Sequence, residues 1–167
     1  MYKYTDKEIN EILKRACVIV DTREQKAKHI TDYFDSKGIT WRKEKLDFGD
    51  YTIARDFYLQ DHITIERKAN LEELSGNLAH ERERMISEFN RARGTLILLV
   101  ENATYDDILE HRYNTKYEPK SYIATLKSFE ARFGFSTHFQ KDNKYSGAYI
   151  YQTLIYHLRE LLKKGYF

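Results

Sequence analysis

Four short stretches carry residue types that can do chemistry together: Val20-Asp21-Thr22-Arg23-Glu24, Gly49-Asp50, Glu66-Arg67-Lys68 and, four residues further on, Glu72. Asp21 closes an apolar run and Glu24 follows three residues later. Asp50 opens one alternating run, and Glu66 and Lys68 lie near the end of another. On a strand, residues i and i+2 share a face, so Glu66 and Lys68 project together with Arg67 opposite. If the two runs pair as a hairpin, the Asp50 and Glu66 carboxylates come close together. Gathered carboxylates repel one another and are costly to hold unless a cation neutralises them, and Mg2+ or Mn2+ does this through oxygen ligands. A lysine beside such an ion can orient or help deprotonate an attacking water, or stabilise charge developing on a phosphate.

Each stretch alone has an ordinary explanation. Asp-x-x-Glu after a strand is a helix-capping pattern near a positive dipole end. Gly-Asp-Tyr is a turn entering a strand, and Glu-Arg-Lys at a strand end is a solvated terminus. It is the ordered occurrence of all of them in one chain that argues for an acidic active-site cluster.

Positioning such residues takes a framework, and hydrophobic periodicity supplies one. Residues 16–21 and 94–101 are short, continuous, apolar runs that read as buried strands. Residues 40–46, 50–54 and 62–67 alternate with period two, as half-buried strands do, and 136–141 reads as a further strand. Helices are predicted over 5–15 behind Thr5, over 25–37 up to Gly38, over 71–92 as one long element, over 104–111, over 119–133 with Pro119 in the first turn, and over 147–164. The last of these lines up Tyr151, Leu154, Ile155, Leu158, Leu161 and Leu162 on one face, which core packing explains first and a dimer face second. Strands precede a helix and then alternate with helices, which predicts an α/β domain with a mixed central β-sheet flanked by helices.

The chain has 167 residues, 41% hydrophobic and 32% charged, which fits one globular domain. No apolar run reaches the length of a membrane span, and the first fifteen residues contain no apolar signal core, so an intracellular protein is expected, cytoplasmic or nucleoid-associated if prokaryotic or from a phage. The lone Cys17 reads as a buried thiol. A net charge of +2 neither announces nor excludes a nucleic-acid partner, because acidic metal ligands would offset basic contacts. The six histidines lack a metal-ligand spacing, and the fourteen tyrosines are expected mostly to fill half-exposed surface. Arg82, Arg84, Arg91 and Arg93 alternate with Glu81, Glu83 and Glu88, the pattern of an exposed helix laced with ion pairs.

With these stretches in view, the chain resembles the XPF-type nuclease domain family, the structure-specific DNA endonucleases of repair and recombination. That family's signature is Gly-Asp, a variable stretch, then Glu-Arg-Lys and, after three intervening residues, Asp, with a Val-Asp-x-Arg-Glu element upstream. The resemblance covers roughly residues 16 to 140 in the family's order. It implies a restriction-endonuclease-like nuclease core, with Asp50 and Glu66 as central ligands of Mg2+ or Mn2+ and Asp21 and Glu24 completing the acidic cluster. It further implies that Lys68 acts on the nucleophilic water and that Arg23 and Arg67 hold carboxylates or touch phosphate. Arg84 is implied as a DNA contact, and Gly49 as the turn residue that presents Asp50. The family's final Asp falls on Glu72, which keeps the carboxylate in a supporting role. The implied reaction is hydrolysis of phosphodiesters in branched DNA such as flaps, forks or junctions; a non-catalytic DNA-binding subunit that keeps the fold is the alternative. One domain over 1–167 is expected, with its core over 16–141 and a final helix over 147–164. Too little chain follows residue 145 for the tandem helix-hairpin-helix module that many family members carry. DNA grip would then come from the nuclease domain, another protein or a second copy in a homodimer.

Overall fold

A computed structural model describes residues 3–54 and 61–166. The strands are β1 (Cys17–Asp21), β2 (Trp41–Glu44), β3 (Tyr51–Ala54), β4 (Ile63–Lys68), β5 (Thr95–Glu101) and β6 (Ser136–Gln140). The helices among the described residues are α1 (Asp6–Leu13), α2 (Lys28–Ser36), α3 (Leu71–Ala79), α4 (Arg82–Arg91), α5 (Tyr105–Leu109), α6 (Pro119–Phe133) and α7 (Ser146–Lys163). The six strands form one sheet in the order β2-β1-β3-β4-β5-β6. The sheet is mixed: β1 runs parallel to β2 and antiparallel to β3, β3 is antiparallel to β4, and β4, β5 and β6 run parallel. Parallel neighbours need a crossover, and each has a helical one: α2 between β1 and β2, α3 and α4 between β4 and β5, α5 and α6 between β5 and β6.

Alternation along the strands sorts the apolar side chains into two large cores, with Cys17, Ile19, Leu46 and Ala54 as a small third cluster. Val18, Val20, Tyr51, Ile53, Ile63, Ile65 and Leu99 pack with Ile9 and Ile12 of α1, Ile30 and Phe34 of α2, and Ile150, Leu154 and Leu158 of α7. Leu96, Leu98 and Val100 turn the other way, onto Leu71, Leu74 and Leu78 of α3, Met85 and Phe89 of α4, and Tyr122, Leu126 and Phe129 of α6. Covering both faces lets near-continuous apolar strands be stable, each fully buried aliphatic side chain contributing about 1.5–3 kcal/mol. Helix ends follow local chemistry. Thr5 and Glu8 form a capping box on α1, and Pro119 occupies the start of α6, which stops at Gly134 in the left-handed conformation (φ 69°).

Several expectations change. The single helix over 71–92 is two, broken at His80 and Glu81, whose N–H groups both donate to the Gly76 carbonyl. The break lets α4 turn so that Met85 and Phe89 join the cluster around Phe129 and Phe135. Strands β3 and β4 are not half-buried but covered on both sides; Thr52 is fully buried because its hydroxyl donates to the Ile63 carbonyl at 2.7 Å. The apolar face of α7 belongs to the core through Leu154, Ile155, Leu158, Leu161 and Leu162, with Tyr151 at its half-buried margin. Most described tyrosines are half-buried or exposed, as expected, while Tyr51, Tyr113 and Tyr122 are buried.

Candidate active site

The site begins at a turn only glycine can make. Gly49 has φ +69°, and a Cβ there would overlap the Thr64 side chain. The backbone of Asp50 is stitched between two strands: its N–H donates to the Ile65 carbonyl at 2.9 Å, and its carbonyl accepts from the Asp21 N–H at 2.8 Å. Tyr51 pairs with Ile65 in the antiparallel register, so Asp50 stands opposite Glu66. The Asp50 carboxylate accepts from the Arg67 N–H at 2.7 Å. Glu66 and Lys68 share a face of β4, as their spacing requires, and their side chains are joined at 2.8 Å. These groups form the floor of a basin of about 450 Å³. One bank is the loop from Arg23 to Lys26; the other carries Glu73 and Asn77 of α3, Glu81 at the break, and Arg84, Glu88 and Arg91 of α4.

The electrostatics of the floor are frustrated. Burial pushes the Asp50 carboxyl well above the ordinary aspartate range, and the Glu66 charge pushes it further; the Arg67 N–H only partly offsets this. Burial likewise raises Glu66, against the opposing pull of Lys68, with Glu88 and Glu73 adding to the rise. For Lys68, burial lowers the pKa, but the Glu66 ion pair, Asp50 and Glu73 outweigh it, so the net shift is upward and the group stays an ammonium. That favours charge stabilisation over water deprotonation among the roles open to Lys68.

The other candidates divide. Asp21 is buried but does not line the basin: its carboxylate accepts from the Arg23 backbone and guanidinium at 2.7–3.1 Å and from the Leu46 N–H at 2.6 Å. Burial would raise its pKa, but these donors outweigh it and the net shift is downward. Its carboxylate is therefore committed to holding the loop around Leu46. Arg23 remains at the rim with its side chain about half exposed. Glu24 does line the basin, yet both its oxygens accept from Arg67, Nε and Nη2, each at 2.9 Å. Arg67 is buried and pairs on its other side with Glu101 at 2.7 Å. Burial opposes its charge, but Glu24 and Glu101 hold its pKa above the ordinary guanidinium value. Arg84 is exposed at the rim, sharing long 3.5 Å pairs with Glu81 and Glu88. Glu72 lies away from the basin and accepts from the Asn114 N–H at 2.8 Å. Its neighbour Glu73 is the one on the basin wall, its carboxylate accepting from the Ala69 N–H at 2.8 Å.

Sequence reasoning therefore passed over Glu73, Glu101 and His29. Glu101 had a signal: it is the single charged residue closing the apolar run Thr95–Glu101, and a buried charge demands a partner. His29, whose Nε2 lies 2.7 Å from Glu101, had none, since 72 residues separate the two.

Among the described residues no group of three or more His, Cys, Asp or Glu side chains is arranged to hold a metal ion unaided. The donor set nevertheless suits a hard divalent cation. Mg2+ is commonly held by one or two carboxylates with water and substrate phosphate completing its shell, and Asp50 and Glu66 are two half-buried carboxylates whose pKa values are raised by desolvation, with Asp50 raised further by the charge of Glu66.

Comparison with known proteins places these features in a lineage. The model of the ERCC4 domain matches residues 20–153, which include every element of the basin. XPF from Aeropyrum pernix shares the fold with a TM-score of 0.65 at 21% identity, over 87% of this chain and 66% of that one. XPF from Aeropyrum pernix in a complex with DNA aligns with a TM-score of 0.62 at 22% identity, over 90% of this chain and again 66% of the other. This chain thus spans just under two thirds of the length of those proteins. No curated protein sequence matches it. The mixed sheet between two helical layers is the XPF nuclease fold, and the motif order agrees with the domain match: the chain belongs to the ERCC4 domain family.

Proposed function

We propose that this chain is a divalent-metal-dependent DNA endonuclease that hydrolyses phosphodiesters at branch points such as flaps, forks or junctions, using Mg2+ or Mn2+. The observation that carries this reading is the meeting of Asp50 and Glu66 across the β3–β4 pair with Lys68 bound to Glu66, all at the floor of one basin. Family membership supports nuclease chemistry, and the DNA complex of a protein of the same fold supports DNA as the partner. The preference for branched DNA rests on the motif resemblance.

Asp50 and Glu66 would hold the ion, with Glu24 at its edge; a divalent ion there supplies Lewis acidity and eases ionisation of an attacking water. The chain's own residues do the rest. The Lys68 ammonium faces the negative charge that develops on the phosphate. Arg67 fixes Glu24 by two hydrogen bonds and steadies Asp50 through its backbone N–H. Arg23 and Arg84 stand on opposite banks and are suited to the phosphates flanking the scissile one. Asp21 acts one step back, anchoring Arg23. A single domain over 1–167, and a homodimer that supplies further DNA contact, belong to the same proposal.

The test is cleavage of labelled flap, fork, junction, duplex and single-stranded DNAs with Mg2+ or Mn2+, alongside Asp50→Ala. Cleavage of branched DNA that disappears in Asp50→Ala supports the reading, and equal cutting by Asp50→Ala overturns it. Cleavage confined to single strands or RNA overturns the substrate assignment. The second reading is a non-catalytic DNA-binding subunit. The commitment of Asp21 and Glu24 to arginines favours it, and binding of branched DNA without cleavage would establish it.

A further inference from the structure

From the Glu24 edge of the basin, a chain of buried charge runs through Arg67 across the opposite face of β4, to partners that the proposed chemistry does not use. Arg67 projects there because its neighbours Glu66 and Lys68 take the other face. Its planar guanidinium has fixed donor directions: Nε and Nη2 go to the two oxygens of Glu24, and Nη1 goes to Oε2 of Glu101. The side chain of Glu101 is 1% exposed, so its remaining oxygen, Oε1, also needs a donor. Nε2 of His29 fills that place at 2.7 Å. An ionised carboxylate can only accept, so Nε2 carries the proton in this contact, whether the ring is neutral or charged. The hydroxyl of Tyr51, fully buried and without a hydrogen-bond partner, lies in the field of Glu24, Arg67 and Glu101 but makes no bond to the Glu101 oxygen that His29 holds.

We infer that His29 is a positioning residue of the basin: by holding Glu101 against Arg67, it fixes the guanidinium that fixes Glu24. The inference rests on the reading of the basin as a catalytic site. Its physical basis is the cost of a bare buried carboxylate oxygen. Without the His29 donor, Glu101 Oε1 must turn toward water. Glu101 then releases Nη1 of Arg67, and a rigid guanidinium that turns about one anchor carries Glu24 with it. The geometry also links the site to its framework. His29 sits in the first turn of α2, directly after the loop that presents Glu24, so the docking of α2 and the orientation of Glu24 are set by one series of contacts.

The experiment compares His29→Gln, which keeps a terminal N–H donor, with His29→Leu, which keeps the bulk and loses the donor. Three measurements are made on the full chain: the NMR resonance and hydrogen exchange of the Arg67 Nε–H group, the affinity for Mn2+, and kcat and KM on the substrate the wild type cleaves. In His29→Leu, the Arg67 Nε–H should lose its protection from exchange. Mn2+ affinity or kcat should fall about tenfold, the usual scale for such an outer contact, with KM within about threefold of wild type. His29→Gln should restore both to within about threefold. In a Glu101→Gln background, His29→Leu should add nothing further. Unchanged Arg67 exchange in His29→Leu overturns the inference. So does a His29→Gln protein as impaired as His29→Leu, or a loss of thermal stability with kcat and Mn2+ affinity intact. If the wild type cleaves no DNA while Arg67 exchange still follows His29, the chain of contacts stands and it is the nuclease reading that fails.

Discussion

Two aspartates of the motif carry opposite signs of stability. Asp21 is held ionised by Arg23 and Leu46, so its contribution is present above the unfolded aspartate pKa of about 3.9 and is lost as the pH falls through its depressed folded value. Asp50 is raised by burial and by Glu66, so the site is most comfortable below about pH 3.9 and becomes a burden as the pH climbs through its folded pKa. Asp21→Asn should therefore lower the stability of the metal-free protein at pH 7.5 by roughly 1–2 kcal/mol for the loss of charged hydrogen bonds. Asp50→Asn should raise it by roughly 1 kcal/mol, a gain that shrinks as the pH approaches 4, because an asparagine keeps the acceptor for the Arg67 N–H and drops the repulsion. Calorimetry of both variants across pH 4–8 checks the pair of signs, and an Asp50→Asn protein less stable than wild type at pH 7.5 would falsify this account of the floor. Stability given up at Asp50 is what the proposed role of that residue as a cation ligand predicts.

At the scale of elements, the basin depends on two joints. The first is the turn at Gly49, where a side chain meets both a left-handed backbone and the Thr64 methyl. Gly49→Ala should cost roughly 2–3 kcal/mol, or about 5–10 °C in melting temperature, and should reduce any cleavage activity as well, because Asp50 is the next residue. The second joint ties α6 to the start of α3: the Tyr122 hydroxyl donates to the Leu71 carbonyl at 2.8 Å. Tyr122→Phe should cost about 1 kcal/mol by thermal melting while leaving Asp50 and Glu66 in place. The hairpin that brings those two together was legible in the sequence, since a period of two fixes which side chains share a face. The break between α3 and α4 was not. No Gly or Pro stands at 79–81, and the spacing from Leu78 to Met85 suits a continuous helix. It is the packing of Phe89 against Phe129 and Phe135 that turns α4 away.

For the molecule as a whole, the net charge of +2 conceals a basin whose two facing carboxylates, Asp50 and Glu66, raise the cost of folding, a cost that protonation relieves and that the proposed cation would also relieve. Metal binding to the folded state alone should then stabilise the protein by mass action, about 2.7 kcal/mol when Mn2+ is at a hundred times its dissociation constant. A thermal shift that is absent in Asp50→Ala is the expected result. An equal shift in that variant would locate the ion elsewhere. DNA binding should weaken with salt, and Arg84→Ala should reduce the dependence of log affinity on log salt by about one unit if Arg84 touches a phosphate, leaving the preference among DNAs unchanged.

The sequence by itself determined the strands, the mixed sheet flanked by helices, the common face of Glu66 and Lys68 and the family, because each is written in local periodicity or in the order of a few residue types. Only the tertiary structure decided how the carboxylates are used. It committed Asp21 to Arg23, set Glu73 rather than Glu72 on the basin wall, and tied Glu101 to Arg67 across 34 residues of chain and to His29 across 72. The physical reason is that a buried charge is satisfied by whichever donor the packed layers bring within about 3 Å, and that neighbour is chosen by register and helix docking rather than by distance along the sequence.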